Sequence, residues 1–272
     1  MQGERGWLLL LLLPAALIFL VFFTLPMGRL FLMSGAGELG WSVYLTALTE
    51  QRYWRSMLST ITLSVVVTLS TLVIAGIAGV FLARNQFTGI QILTALLTLP
   101  LAFPGVVIGF MVIMLGGRQG LVSQLSEPLL GEPVVFAYSM VGLFVGYIYF
   151  SIPRTILTVM AAAEKLDQRL IEAARSLGAS NWRVLCDVYI PGLRPALLAA
   201  GAICFATSMG AFGTAFTLAT KIDVMPMVIY TEFTLHANIA MAAVLSFLLG
   251  LVTWAALAFA RTLSGSVVST AA

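Results

Sequence analysis

The chain has 272 residues, 60% of them hydrophobic and 9% charged, with a formal net charge of +3. A soluble domain carries about 25% charge, so a water-soluble enzyme and a disordered chain are both excluded. The 14 Lys and Arg against 11 Asp and Glu are too few and too dispersed to build a nucleic-acid groove, and the composition is that of an integral membrane protein.

A helix needs about 20 mainly apolar residues to cross the hydrocarbon core. Six such runs follow one another, at residues 7–32, 57–82, 92–115, 135–161, 196–219 and 239–260. Their middles are uncharged, with Arg29 and Arg154 standing near span ends. The period-2 alternation of a membrane barrel is absent. The expected fold is therefore all-α and polytopic, a single transmembrane domain over residues 1–272 with no room for a separate soluble domain. The first run is long for a signal sequence, follows MQGERG and lacks an A-x-A cleavage site, so it reads as a retained anchor.

With the N-terminus inside, nine basic residues fall on the cytoplasmic side (Arg5, Arg84, Arg154, Lys165, Arg169, Arg175, Arg183, Arg194 and Arg261). Five fall outside (Arg29, Arg52, Arg55, Arg118 and Lys221). The excess of positive charge predicts that both termini face the cytoplasm. Cys186 and Cys204 imply no disulfide framework. Pro100 and Pro104 interrupt the third span, either bordering a path through the protein or kinking a packed helix.

Residues 162–195, between the fourth and fifth spans, hold the densest charge in the chain. Leu166, Leu170, Ala173 and Leu177 share one helical face, and Glu164, Lys165, Asp167, Gln168, Arg169, Glu172 and Arg175 fill the rest. Gly178 ends this helix, and Ser180 is placed to cap a second one from Asn181, which is expected to finish before Pro191. Two short amphipathic helices meeting at a glycine elbow suit either a lipid interface or a protein groove. The small apolar face and the interleaved acidic side chains favour the groove.

In the fifth span Gly201, Gly210 and Gly213 thin the helix, while Thr207, Ser208, Thr214 and Thr217 place hydroxyls at bilayer depth. There such groups bond neighbouring helices or line a cavity. Residues 221–238 mix Asp223, Glu232 and His236 with apolar residues and read as an ordinary solvated loop. His236 is the only histidine, so no metal site is expected.

An intramembrane serine protease would need a nucleophile motif and a histidine within the membrane, and the chain has neither. No phosphate-binding G-x4-GK[ST] occurs. An ion-coupled carrier would place ionisable groups near the midplane, where these spans have almost none. Uptake driven by an ion gradient without a bound ATPase would mark that class.

Glu172-Ala173-Ala174, then Gly178, then Val188, Ile190 and Pro191 resemble the EAA-x3-G-x9-I-x-L-P signature of ATP-binding-cassette importer permeases of type I. Val188 stands for the usual Ile and Ile190 for the usual Leu. The resemblance implies a coupling helix that inserts into an ATPase subunit, with Glu172 pairing a basic residue there, Ala173 and Ala174 allowing close approach, and Gly178 allowing the turn. Gly210-Ala211-Phe212-Gly213-Thr214 and Met225-Pro226-Met227-Val228-Ile229-Tyr230 look like segments of the polyamine, opine and phosphonate branch, which includes the spermidine/putrescine permeases. Iron, sulfate, molybdate and thiamine permeases carry related versions.

The resemblance implies a non-catalytic permease subunit of the bacterial inner membrane. Its expected partners are a second permease, a non-identical homologue, two ATPase subunits that bind the ATP and Mg, and an outer substrate-binding protein. This chain would hold no cofactor itself. Its solute would be small and polar, such as a polyamine or organophosphonate, with Thr207, Ser208, Thr214 and Thr217 as candidates for the path.

Overall fold

The computed structural model describes residues 2–35, 37, 40–218 and 222–264, and side chains within those ranges from residue 11 to residue 262. Ala219, Lys221 and the side chains of Glu4 and Arg5 lie outside that set. Every described regular element is helical: α1 (Gln2–Phe19), α2 (Leu25–Ser34), α3 (Val43–Thr49), α4 (Gln51–Arg84), α5 (Ile90–Thr98), α6 (Gly105–Gly116), α7 (Leu121–Leu130), α8 (Met140–Glu164), α9 (Gln168–Ser176), α10 (Asn181–Val184), α11 (Ile190–Met209), α12 (Phe212–Leu218), α13 (Met225–Thr234) and α14 (Ile239–Ser264). Wide π-turns at Leu20–Thr24 and Leu185–Tyr189 join α1 to α2 and α10 to α11.

Six stretches are long and apolar enough to cross a membrane: Leu11–Ser34, Gln51–Arg84, Gly105–Leu130, Met140–Glu164, Asn181–Met209 and Ile239–Thr262. The number matches the sequence reading, but two registers shift. The expected third span at 92–115 divides into a shorter apolar helix, Ile90–Ala102, and the longer stretch Gly105–Leu130. Proline causes the division. Phe103 is forced into extended backbone (φ −94°, ψ 132°) by the ring that follows it, and Pro104 caps α6 in the same region. Pro104 therefore separates two helices, while Pro100 lies in the final turn of the first.

The fifth span also begins earlier than 196. The helix from Asn181 was expected to stop before Pro191, yet it continues through Pro191 into α11. Proline lacks the N–H for an i→i−4 bond and its ring crowds the carbonyl four residues back. The π-turn Leu185–Tyr189, immediately ahead of the proline, widens the ladder there. At its other end α11 stops at Met209, before Gly210, and α12 restarts at Phe212.

The chain forms two compact units. One comprises residues 1–57 and 228–251, the other residues 58–227 and 252–272. In the first, the Phe31 ring lies 5.1 Å from Trp41, 6.1 Å from Tyr44 and 5.7 Å from Phe247. Ser34 Oγ and the Tyr44 hydroxyl are hydrogen-bonded at 2.8 Å. Glu232, which reads as part of a solvated loop in the sequence, lies instead on α13 with 2% exposure. Arg52 is 3.4 Å from its carboxylate and His236 Nδ1 3.1 Å. A buried carboxylate persists where charge and hydrogen bonds compensate its lost hydration.

The second unit buries small hydroxyl residues within an apolar core and turns large apolar residues outward. On α4, Thr60, Ser64 and Thr71 are buried while Leu69, Val73, Ile77 and Phe81 are exposed, the arrangement expected where the solvent is lipid. Its core joins Leu63, Val67, Val112, Leu143, Tyr147, Cys204, Ala215 and Leu218. Small residues set the helix spacing. A Cβ added at Gly109 would overlap the Thr217 side chain, and one at Gly146 would lie 2.7 Å from Thr214 Cγ2.

Two stability predictions follow from these contacts. Gly109→Ala should destabilise the purified protein by about 1–3 kcal/mol through overpacking, read as a lower thermal midpoint, and Gly109→Ala/Thr217→Ala should recover most of the loss. Arg52→Met should cost about 1–3 kcal/mol by leaving the Glu232 carboxylate with one partner fewer, less than a fully buried pair because Arg52 is part-exposed. Adding Glu232→Gln should restore stability, and a double variant no better than Arg52→Met would refute this account of the pair.

Candidate functional site

The segment after α8 is an elbow held from behind. Arg84, the last residue of α4, donates through Nη2 to the carbonyls of Ala163 (2.8 Å) and Leu166 (3.1 Å), the end of α8. A cation on these carbonyls at the C-terminal end of α8 also complements the helix dipole. The Arg84 guanidinium sits 5.8 Å from the Tyr189 ring centroid, and Leu166 packs so close to Gly192 that a Cβ there would overlap it. Asp167 caps α9, accepting from the Arg169 N–H at 2.9 Å.

The elbow itself is a Schellman turn. The Ala179 N–H donates to the Ala174 carbonyl at 3.0 Å and the Gly178 N–H to the Arg175 carbonyl at 2.9 Å. Gly178 has φ +79°, the left-handed region where a side chain is strained. Ser180 Oγ then accepts from the Arg183 N–H at 3.4 Å, and α10 begins at Asn181 as the sequence predicts.

Glu172, Ala173, Gly178, Ile190 and Pro191 are exposed, and Ala174 and Val188 half-buried. The expected apolar face does not turn inward: Leu166 is half-buried, and Leu170, Ala173 and Leu177 are exposed. Ile171 is the buried residue, whereas Leu177 is 88% and Trp182 70% exposed, with Leu170 exposed beside them. The elbow thus presents a mixed surface of large apolar groups and Glu172 that its own unit leaves uncovered.

The second feature is a cleft of about 410 Å³ lined by Gly105, Tyr147, Phe150, Ser151, Arg154, Ala206, Thr207, Ser208, Gly210, Ala211, Gly213 and Thr214. It forms where two helix breaks meet. The Thr214 hydroxyl donates to the Gly105 carbonyl at 3.0 Å, and the Tyr147 hydroxyl to the Ala211 carbonyl at 2.8 Å. The Gly105 carbonyl belongs to the first turn of α6 and the Ala211 carbonyl to the link between α11 and α12, so each bond ties the start of a helix to a distant element.

Of the four hydroxyls singled out in the fifth span, Thr207, Ser208 and Thr214 line this cleft. Thr217 is elsewhere, donating to the Gly213 and Thr214 carbonyls and packing on Gly109. Thr207 donates to the Ile203 and Cys204 carbonyls, while Ser208 Oγ is buried with no partner.

Sequence reasoning missed Tyr147 and Arg154. Arg154 is not close to a span end: at a 1.5 Å rise per residue it lies about 15 Å along α8 from Glu164. A guanidinium at such a position costs about 2.5–3.5 kcal/mol on insertion scales. Its own element supplies one compensation, the Phe150 ring centroid at 5.3 Å. The available signals were a hydroxyl-bearing ring and a charge inside an apolar run, both of which need a partner in lipid.

Arg84→Met should loosen the elbow while leaving the spans inserted. The loss of two charge-assisted bonds, about 2–4 kcal/mol of local stability, should speed tryptic cleavage at Lys165, Arg169 and Arg175 at least tenfold, about 1.4 kcal/mol. Cleavage at the unaltered rate would show that the guanidinium does not hold the segment.

Comparison with known proteins places this geometry in a family. The chain is 28% identical over 266 residues to the protein of Salmonella typhi named for 2-aminoethylphosphonate transport, PhnU, covering 94% of this chain and 91% of that one. It is 30% identical over 228 residues to the sulfate transport system permease protein CysT of Escherichia coli, covering 81% and 80%. The fold matches a crystal structure of a bacterial ABC transporter involved in the import of alginate with a TM-score of 0.82, at 19% identity and 97% coverage of both chains. Residues 75–267, which include both the elbow and the cleft, match the inner membrane component of binding-protein-dependent transport systems. The chain belongs to that family and is a multi-pass inner-membrane permease of a binding-protein-dependent ABC importer.

Proposed function

We propose that this chain is one of two transmembrane subunits, paired with a non-identical homologue, that together enclose the path of a type I importer. One of two ATPase subunits, which bind the ATP and Mg, docks on this elbow and the other on the second permease, while a substrate-binding protein delivers the solute from the other side. Both termini face the cytoplasm, as the distribution of basic residues favours. The solute is small and polar, an organophosphonate or a polyamine. The likeness to PhnU supports the first, and the permeases for iron, sulfate, molybdate or thiamine supply the alternative.

The observation that carries the ATPase-docking role is the elbow. The signature residues Glu172, Ala173 and Gly178 stand exposed beside Leu177 and Trp182 on a turn braced by Arg84. A rigid projection with an uncovered apolar face transmits a push, because the force is not lost in bending the loop. ATP binding would draw the ATPases together and bias the spans between two arrangements, and hydrolysis would reset them. Thr207, Ser208 and Thr214 border the path in this reading, and Thr217 supports it by holding α12 against α6.

Gly178→Pro and Glu172→Lys test the coupling. Proline cannot adopt φ +79°, and lysine reverses the charge offered to the partner. Both variants should insert at normal levels, yet ATP-driven uptake by the whole importer should fall at least about tenfold, the loss of a contact worth about 1.4 kcal/mol. Normal uptake in either would overturn the docking assignment. Affinity purification from native membranes should recover an ATPase and a second EAA-bearing permease, and active uptake by this chain alone would overturn the importer reading itself.

A further inference from the structure

The cleft holds one unspent charge. Phe150, Ser151 and Arg154 project from one face of α8, spaced as i, i+1 and i+4, and face Thr207 and Ser208 across the cavity. Among the described residues no carboxylate pairs with Arg154, and none of the residues lining the cleft is acidic. The Phe150 ring approaches the guanidinium but uses none of its five N–H donors. Charged side chains in a span are expected to find partners or to serve transport, and here none of the described residues supplies a partner.

A second observation stands on different atoms. Ser208, 3% exposed, is one of the residues lining the cleft, and its buried hydroxyl has no hydrogen-bond partner. A buried unpaired hydroxyl is unfavourable unless something arrives to accept from it. Arg154 and Ser208 line the same cleft, and the described residues supply an acceptor to neither. The volume of about 410 Å³ is at the small end of ligand cavities.

We infer that the cleft is an anion site, in which Arg154, with Ser208 beside it, receives a compact oxyanion head group such as a phosphonate, a sulfate or a carboxylate as the solute passes. A guanidinium presents a planar fork of donors matched to two oxygens of such a group. A polyamine would meet a like charge with no carboxylate to offset it. This inference rests on the cleft being part of the path and selects the oxyanion class within it.

The charge preference of the cleft can be read without knowing the solute. In the full-length protein with its co-purifying subunits, carrying Cys186→Ser and Cys204→Ala, a Thr207→Cys reporter is modified with sulfonatoethyl or trimethylammonioethyl methanethiosulfonate. Each rate is divided by that of the same reagent with a free thiol. The anionic reagent should be favoured at least about fivefold, as a cation within several ångströms in a partly screened site requires. Arg154→Gln should abolish the preference and Arg154→Lys should keep it. Inorganic sulfate or 2-aminoethylphosphonate should slow modification where putrescine does not, a comparison that needs no change at Arg154. Equal or cation-favouring rates, a preference unmoved by Arg154→Gln, or protection by putrescine alone would overturn the inference. None of these rates requires ATP or a bound ATPase, so they can fail while the importer reading stands, and the importer reading can fail through co-purification while the preference persists.

Discussion

Hydrocarbon offers no water to hydrogen-bond a backbone, so each carbonyl freed at membrane depth must be satisfied by the protein itself. This chain breaks its helices around residues 103–105 and 210–211, and beside each break a side-chain hydroxyl bonds the backbone of a distant element. The Thr214 hydroxyl reaches Gly105 and the Tyr147 hydroxyl reaches Ala211. At the end of α8, Arg84 takes two carbonyls at once. These bonds join residues 64 to 109 positions apart in the chain, so they fix helices to one another as well as ending them.

Both functional features arise from those break points. The cleft is the space left where α6 and α12 begin beside α8 and α11, and the side chains that bond beside the breaks, Tyr147 and Thr214, are also part of its wall. The elbow exists because α8 is stopped and held by Arg84, α9 is stopped by a left-handed glycine, and α10 restarts under a serine cap. Rigidity on one side and exposure on the other follow from the same local chemistry. Elsewhere the packing depends on missing side chains. Gly109 and Gly146 let threonines from α12 approach more closely than any Cβ would allow.

Much of this was legible in the sequence. The six membrane-length apolar runs, the glycine elbow at Gly178, the cap at Ser180 and the signature residues around them depend on local properties: hydropathy over a turn or more, φ freedom and short side chains that bond nearby amides. Proline effects were harder to place. Pro104 and Pro191 look alike as breakers, yet one starts a helix after an extended residue and the other sits inside a continuous one, because a π-turn of Leu185–Tyr189 precedes it. The widened turn ahead of Pro191 makes the difference, and residue types alone do not announce it.

Glu232 and Arg154 show the same division. As sequence, the first is an acidic residue in a polar stretch and the second a basic residue toward a span end. In the fold, Glu232 is buried against Arg52, 180 residues away in the chain, and Arg154 opens onto a cavity made by four helices. Composition and local pattern alone determined that the chain crosses a membrane as helices and turns at a capped glycine elbow, because hydropathy, backbone freedom and capping act within a few residues. Only the tertiary structure decided where the third and fifth spans begin, which hydroxyls face a cleft and which charge stands there unpaired, because those outcomes depend on which distant groups arrive to satisfy a buried donor or acceptor.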